Sequence, residues 1–365
     1  MSETNIVRPD AASHWYIADD KKVKAFHHVP YAGKRGKDGE MRSTTLRDAR
    51  KHGAFPSVTN VLQILHKDFL VAYKINQAIL SCTTLPKIEG ESVDDFAKRA
   101  LKDSKEHAAS AARMGTACHE VAADILTDPR ECSADQSTLT FPPKGMTWIS
   151  ENEDRKIAVP DKVIEAYSGV IIEGNNLLSA SLPLIKLMQG ITPDDAPTDA
   201  EFSEFHIANR DIGYAGCCDG LIFLDATNKY VHDKLVEAGY SHLCGNGEPI
   251  LAVCDIKTRG AAAKKAPVYE TDVLQLAAYL NAIPTTPNLG FKVDSHNTPV
   301  CNLMLNTNQN AGKDGVWDAE LVIHKKEDVD AAWSTYKHLH AVWCWMKNYN
   351  PLSSYEDNIT KTTTK

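Results

Sequence analysis

The chain has 365 residues, enough for one large domain or two ordinary ones, and its hydrophobic (43%) and charged (24%) fractions are those of a soluble globular protein. The formal charge of −8 excludes a surface coated in positive charge, so contact with nucleic acid has to come from local basic patches. The apolar stretch 163–187 is broken by Glu165, Glu173, Asn175 and Asn176, which excludes a membrane span; the polar segment Met1–Asp10 has no signal-peptide core, so a cytoplasmic protein is expected.

In chain order, residues 1–55 read as a basic, partly irregular arm with short strands at 15–18 and 23–29 and a loop punctuated by Gly33, Gly36 and Gly39. Lys21, Lys22, Lys24, Lys34, Arg35, Lys37, Arg42, Arg47, Arg50 and Lys51 are opposed there by Asp38, Glu40 and Asp48. The run fits a phosphate-contacting arm and a solvated loop equally well. Pro56-Ser57 opens a short helix to Leu65, and a second helix covers 69–81. Ser92 then caps a third, with Asp94 and Asp95 in its first turn, running to about Leu126 with a break near Lys105. Residues 132–159, with Pro142, Pro143 and Gly145, read as a loop or insertion. A helix from Pro160 passes Leu178 and reaches toward Met188.

Glu201 to Ala208 alternates as a strand, Asn209–Gly213 has hairpin-turn chemistry, and Tyr214 to Leu224 is the returning strand. Leu251 to Lys257 is almost wholly apolar up to Asp255, the signature of a strand buried on both faces. A helix over 269–282, strands at 300–305 and 320–324 and an amphipathic helix over 327–347 follow. Val329, Trp333, Tyr336, His340 and Trp343 share one face of that last helix and read as core rather than as a platform for bases. Residues 351–365 read as a disordered polar tail. The order predicts an α/β fold: a mixed central sheet flanked by helices, with a helical N-terminal region.

Nine cysteines without a CxxC pair argue against a zinc ribbon and for free thiols. Adjacent strand residues face opposite ways, so Cys217-Cys218 reads as structural. The chemistry concentrates in Cys254-Asp255-Ile256-Lys257-Thr258. Asp255 and Lys257 are two apart on a strand and point to the same side, setting a carboxylate beside an ammonium at a strand end. Asp219, on the returning strand behind the small residues Gly213, Ala215 and Gly216, converges on Asp255 if the strands are neighbours. Two carboxylates and a backbone carbonyl make a hard oxygen site suited to Mg²⁺ or Mn²⁺. Alone, Asp-x-Lys also fits a surface ion pair, and His119 alone fits a satisfied helix histidine. Glu201 and Glu204 read either as supporting carboxylates or as exposed strand residues.

Four motifs in register carry a resemblance. Gly115 to His119 gives GxxxH, Gly216 to Asp219 gives GxxD, Asp255-Ile256-Lys257 gives DxK, and Gln275 to Tyr279 gives QxxxY. With the opening segment Pro56–Leu62 they resemble the PD-(D/E)XK nuclease superfamily, in its RecB-like exonuclease branch of phages and mitochondrial genome maintenance. The resemblance implies a restriction-endonuclease-like core over 56–350, with insertions near 132–159 and 226–249, the second shaping substrate access. It implies a Mg²⁺- or Mn²⁺-dependent DNA exonuclease of recombination, repair or degradation. A DNA-binding module without cleavage, or a structure-specific endonuclease, are its rivals. His119, Asp219, Asp255 and the Ile256 carbonyl would ligate metal. Asp219, Asp255 and Lys257 would be catalytic, with Gln275 and Tyr279 orienting lysine, water or phosphate. Gly115, Thr116, Thr258, Arg259, Lys264 and Lys265 would contact DNA. Some relatives hold an iron–sulfur cluster, but only Cys301 and Cys344 follow the core, so none is expected. No G-x-x-x-x-G-K-S/T motif is present, so a helicase, recombinase or single-strand-binding partner would be a separate chain. No membrane partner is expected.

Overall fold

The computed structural model describes residues 14–30, 41–65, 68–105, 119, 147–149, 156–158, 184, 187–188, 190–193, 203–259, 267–289, 291–306 and 318–353. The first elements are β1 (Trp15–Ala18), β2 (Val23–Ala25), β3 (His28–Pro30) and β4 (Met41–Ser43). The strand expected over 23–29 is two strands, because the chain changes partner. Phe26 N still donates to Trp15 O at 2.7 Å, whereas His27 O accepts from Thr44 N at 2.9 Å, and β3 pairs with β4. The arm also contains a helix that sequence reasoning missed, α1 (Leu46–His52). Thr45 and Asp48 form its capping box and Gly53, at φ 63°, ends it. β5 (Phe55–Pro56) closes a sheet in the order β2-β1-β5.

Helix α2 (Val58–Leu62) starts where expected, with Ser57 Oγ accepting from Asn60 N at 3.0 Å. α3 (Asp68–Thr84) is longer than expected by a few residues. α4 covers 93–105, and Ser92 Oγ caps it by accepting from Asp95 N at 3.1 Å. The rest of that predicted helix lies outside the described residues, His119 excepted, which is helical. Within the expected loop 132–159, β6 (Thr147–Ile149) and β7 (Lys156–Ala158) pair antiparallel. Of the helix expected from Pro160, residues 184, 187–188 and 190–191 are helical and the remainder lies outside the described residues.

The main sheet comes from β8 (Ser203–Asn209), β9 (Tyr214–Leu224), β10 (Ile250–Arg259), β11 (Val300–Asn306) and β12 (Asp318–Ile323), in the order β12-β11-β10-β9-β8. It is mixed: β10 and β11 run parallel and the other neighbours antiparallel. The parallel pair needs a crossover, which α6 (Glu270–Ala282) supplies. One face packs Ala252, Cys254 and Ile256 against Leu184, Met188 and α5 (Lys229–Glu237) through Val231 and Leu235. Residues 226–249, expected to shape substrate access, are therefore in part core, with Tyr240 also buried, because their apolar residues recur at helical spacing. The other face packs Val253 and Val300 against α6 and α7 (Lys326–Lys347). The face of α7 read as core is core: Val329, Tyr336, His340 and Trp343 are buried. Among the described residues no helix is long and apolar enough to cross a membrane.

Candidate active site

Register builds the site. β9 pairs with β10 from Leu224↔Ile250 to Gly220↔Cys254 and then parts from it, while β10 continues along β11 to Arg259↔Asn306. The fork opens at Asp219 on β9 and Asp255 on β10. β9 also changes its facing here: Tyr214, Cys218 and Leu221 all pack in one core cluster, so strict alternation slips once between 218 and 221. The orphaned backbone is satisfied by a side chain, since Asp219 Oδ2 accepts the Ile256 N–H at 2.7 Å. His119 Nδ1 lies 3.5 Å from the same oxygen.

Glu204 sits opposite Asp219, between the pairs Ser203↔Gly220 and Phe205↔Cys218, with φ 49°. A positive φ is costly for a residue with a side chain and is kept where the surroundings demand it. His119, Glu204 and Asp219 each offer a ligand atom, all within 4.8 Å of one another, and they are the one such group among the described residues. Asp255, expected as a ligand with them, is not in this group. Its carboxylate is enclosed by protein donors: Lys257 Nζ at 2.6 Å and Asn302 Nδ2 at 2.8 Å from Oδ2, and Gln275 Nε2 at 2.9 Å from Oδ1. The reason is burial. Asp255 is 1% exposed, and a carboxylate there must find donors. Of Ile256, the side chain enters the opposite core cluster and the N–H is committed to Asp219.

Gln275 saturates itself between three partners. Its Oε1 accepts from Lys257 Nζ at 3.1 Å, and its Nε2 donates both to Asp255 and to Tyr279 Oη, the latter at 2.8 Å. Flipping the amide would set nitrogen against ammonium and oxygen against carboxylate, so the orientation is fixed. Gly216 belongs to this packing: a Cβ there would stand 2.8 Å from Tyr279 Cε1. Burial raises the pKa of Asp255, helped by the Asp219 charge and opposed by Lys257. Burial works against the Lys257 charge too, but the Asp255 and Asp219 carboxylates outweigh it and its pKa is raised. Tyr279 is raised by burial and by the same two acids.

The expected DNA contacts fare less well. Arg259 Nη2 is 2.9 Å and 3.1 Å from the Asp272 carboxylate oxygens and its guanidinium stacks 4.9 Å over Tyr269, so it secures the start of α6. Thr258 alternates with Lys257 and takes the side of Cys254 and Ile256, away from the acids. Gly115, Thr116, Lys264, Lys265 and Glu201 lie outside the described residues. In the basic arm, Arg42 is paired with Asp48 at 2.6 Å and Arg50 donates to Lys347 O and Asn348 O, which commits both to the fold. Cys218 is buried, as a structural thiol should be, while Cys217 Sγ donates to Glu204 Oε2 at 3.3 Å.

Sequence reasoning missed Asn302, the polar residue inside the apolar run Val300–Leu305, and its partner His324. A buried amide in such a run was the available signal. No protein-family model matches this chain, and a search of curated proteins found no match.

Proposed function

We propose that this chain is a divalent-metal-dependent deoxyribonuclease that hydrolyses phosphodiester bonds from DNA ends, built on a nuclease-type α/β core. The observation that carries the reading is the fork between β9 and β10. Asp219, Asp255 and Lys257 stand there within neighbouring strands, just past the last β9–β10 pair, with His119 at 3.5 Å from Asp219 and Gln275 tying Lys257 to Asp255. One imidazole and two carboxylates within 4.8 Å form a mostly oxygen donor set, which fits Mg²⁺ or Mn²⁺. His119, Glu204 and Asp219 would hold the ion, with Asp255 across the fork. When bound, such an ion supplies Lewis acidity and a more acidic water.

The chain's own residues then have defined tasks. Lys257, kept protonated by its two carboxylate neighbours, neutralises charge that builds on the phosphate. Gln275 holds that ammonium in place, and Tyr279 holds Gln275. The preference for DNA and for ends rests on the sequence resemblance.

The test is digestion of end-labelled linear DNA, single- and double-stranded, beside closed circles, with Mg²⁺, Mn²⁺ or EDTA. Linear DNA should be shortened only with metal, and circles spared. Lys257→Ala should lower kcat by about 10²-fold or more, as loss of a transition-state charge partner does. Cleavage that persists in EDTA, or full activity of the lysine variant, overturns the proposal; cut circles turn it into an endonuclease.

A further inference from the structure

β11 is apolar and buried at Val300, Cys301, Leu303, Met304 and Leu305, yet Asn302 in its middle is 0% exposed. An amide placed there is costly unless every polar atom is used. It is used in full. Asn302 Nδ2 donates to the Asp255 main-chain oxygen at 3.0 Å and to Asp255 Oδ2 at 2.8 Å. Asn302 Oδ1 lies 2.7 Å from His324 Nε2. The reversed amide would press Oδ1 against a carboxylate, so its orientation is fixed. An amide oxygen only accepts, hence the hydrogen between them sits on His324 Nε2. His324 is buried, and burial lowers its pKa, which suits a neutral ring with that single tautomer.

Register explains the reach. Asn302 pairs with Asp255 across the parallel β10–β11 ladder, so both point to the α6 side of the sheet. Gln275 fastens Oδ1 of the carboxylate from the helix, and Asn302 fastens Oδ2 from the strand. Leu or Met would fill the Asn302 site but leave His324 Nε2 and two Asp255 oxygens short of a partner; the amide answers to those two residues.

We propose that Asn302 and His324 are positioning residues that hold the Asp255 carboxylate across the fork from His119, Glu204 and Asp219, so that its charge faces the divalent cation those three would hold. The inference rests on the metal-dependent reading above. Neither residue touches substrate. His324 acts through Asn302, and Asn302 through Asp255, an outer-sphere role of the kind that tunes metal affinity.

The experiment measures Mn²⁺ binding to the full chain without DNA, by the electron paramagnetic resonance of free Mn²⁺, with thermal midpoints and nuclease assays on the same samples. Asn302→Ala should weaken Mn²⁺ about 10- to 100-fold. His324→Phe should weaken it in the same direction, and His324→Gln, whose amide nitrogen can donate to Asn302, should restore it while the thermal midpoints of the two histidine variants match. Should Asn302→Ala fail to fold, the contrast between Phe and Gln at 324 decides alone. Parent-like Mn²⁺ binding by folded Asn302→Ala, or equal binding by both histidine variants, overturns this inference and leaves the nuclease reading standing. Parent protein that binds no Mn²⁺ overturns both. Weakened Mn²⁺ binding in the variants of a parent that cuts no DNA supports the positioning role and removes the nuclease reading.

Discussion

At the scale of single residues, the candidate site is a chain of atoms each of which fixes the next. Gly216 lets Tyr279 lie against β9, Tyr279 Oη receives Gln275, and Gln275 bridges Asp255 and Lys257. The glycine of the GxxD motif thus acts through space-filling, because the nearest atom to an added Cβ is an aromatic ring edge at 2.8 Å inside a packed core. Gly216→Ala should displace Tyr279, cost about 1–3 kcal/mol of stability as overpacking does, and lower kcat more than it changes KM for DNA, since the displaced hub touches Lys257 rather than distant phosphates. Urea unfolding alongside steady-state kinetics checks both parts. An alanine variant of parent stability would mean that the ring moves aside freely and that the hub is loose.

At the scale of elements, α7 anchors the sheet from one side. His340 Nε2 donates to the Gly213 carbonyl oxygen at the β8–β9 turn, at 3.2 Å, which requires the N–H form there. Its ring lies near Tyr214 and Trp343, and burial lowers its pKa from 6.5 to about 4. In the unfolded chain the ring titrates near 6.5, so between those values the unfolded state binds more protons. Stability from this group is complete above pH 6.5 and is lost as pH falls toward 4, by on the order of 3 kcal/mol at most. His27, also lowered to about 4 by burial and then by neighbouring imidazoles, adds in the same sense. Thermal midpoints should therefore drop between pH 7 and pH 5. His340→Gln, which keeps a donor for Gly213 and removes the titration, should flatten that slope without abolishing it. An unchanged slope would show that His340 does not contribute to acid sensitivity.

At the scale of the whole molecule, the main sheet and its helices were legible because their signals are local: the continuous apolar run of β10, the Asn209–Gly213 turn, and the spacing of Val329, Tyr336 and Trp343 on α7. What depends on register was not. Strand alternation put Asp255 and Lys257 side by side, but only the β10–β11 register and the docking of α6 reveal that Asp255 is enclosed, and only the β8–β9 register that Glu204, strained at φ 49°, faces Asp219. Arg259 carried a charge that suited phosphate, yet Asp272 in the first turn of α6 claims it. The capping box at Thr45–Asp48 is a short-range signal too, set among the arm's basic residues. The fork sets the half-buried Asp219 beside the buried Asp255, whose pKa is raised first by burial and then by the Asp219 charge, so the metal-free protein carries a repulsion that a cation would relieve. Asp219→Asn separates the two effects. Asparagine keeps an oxygen for the Ile256 N–H and removes the charge, so the metal-free variant should melt no lower than the parent. Saturating Mn²⁺ should raise the parent's melting point, since a ligand at a hundredfold excess over Kd adds about 2.7 kcal/mol, roughly 3–6 °C for a chain of this class. The variant should show little of that rise. Scanning fluorimetry with and without Mn²⁺ reads both outcomes without any substrate, and an equal rise in both proteins would place the cation somewhere other than this fork.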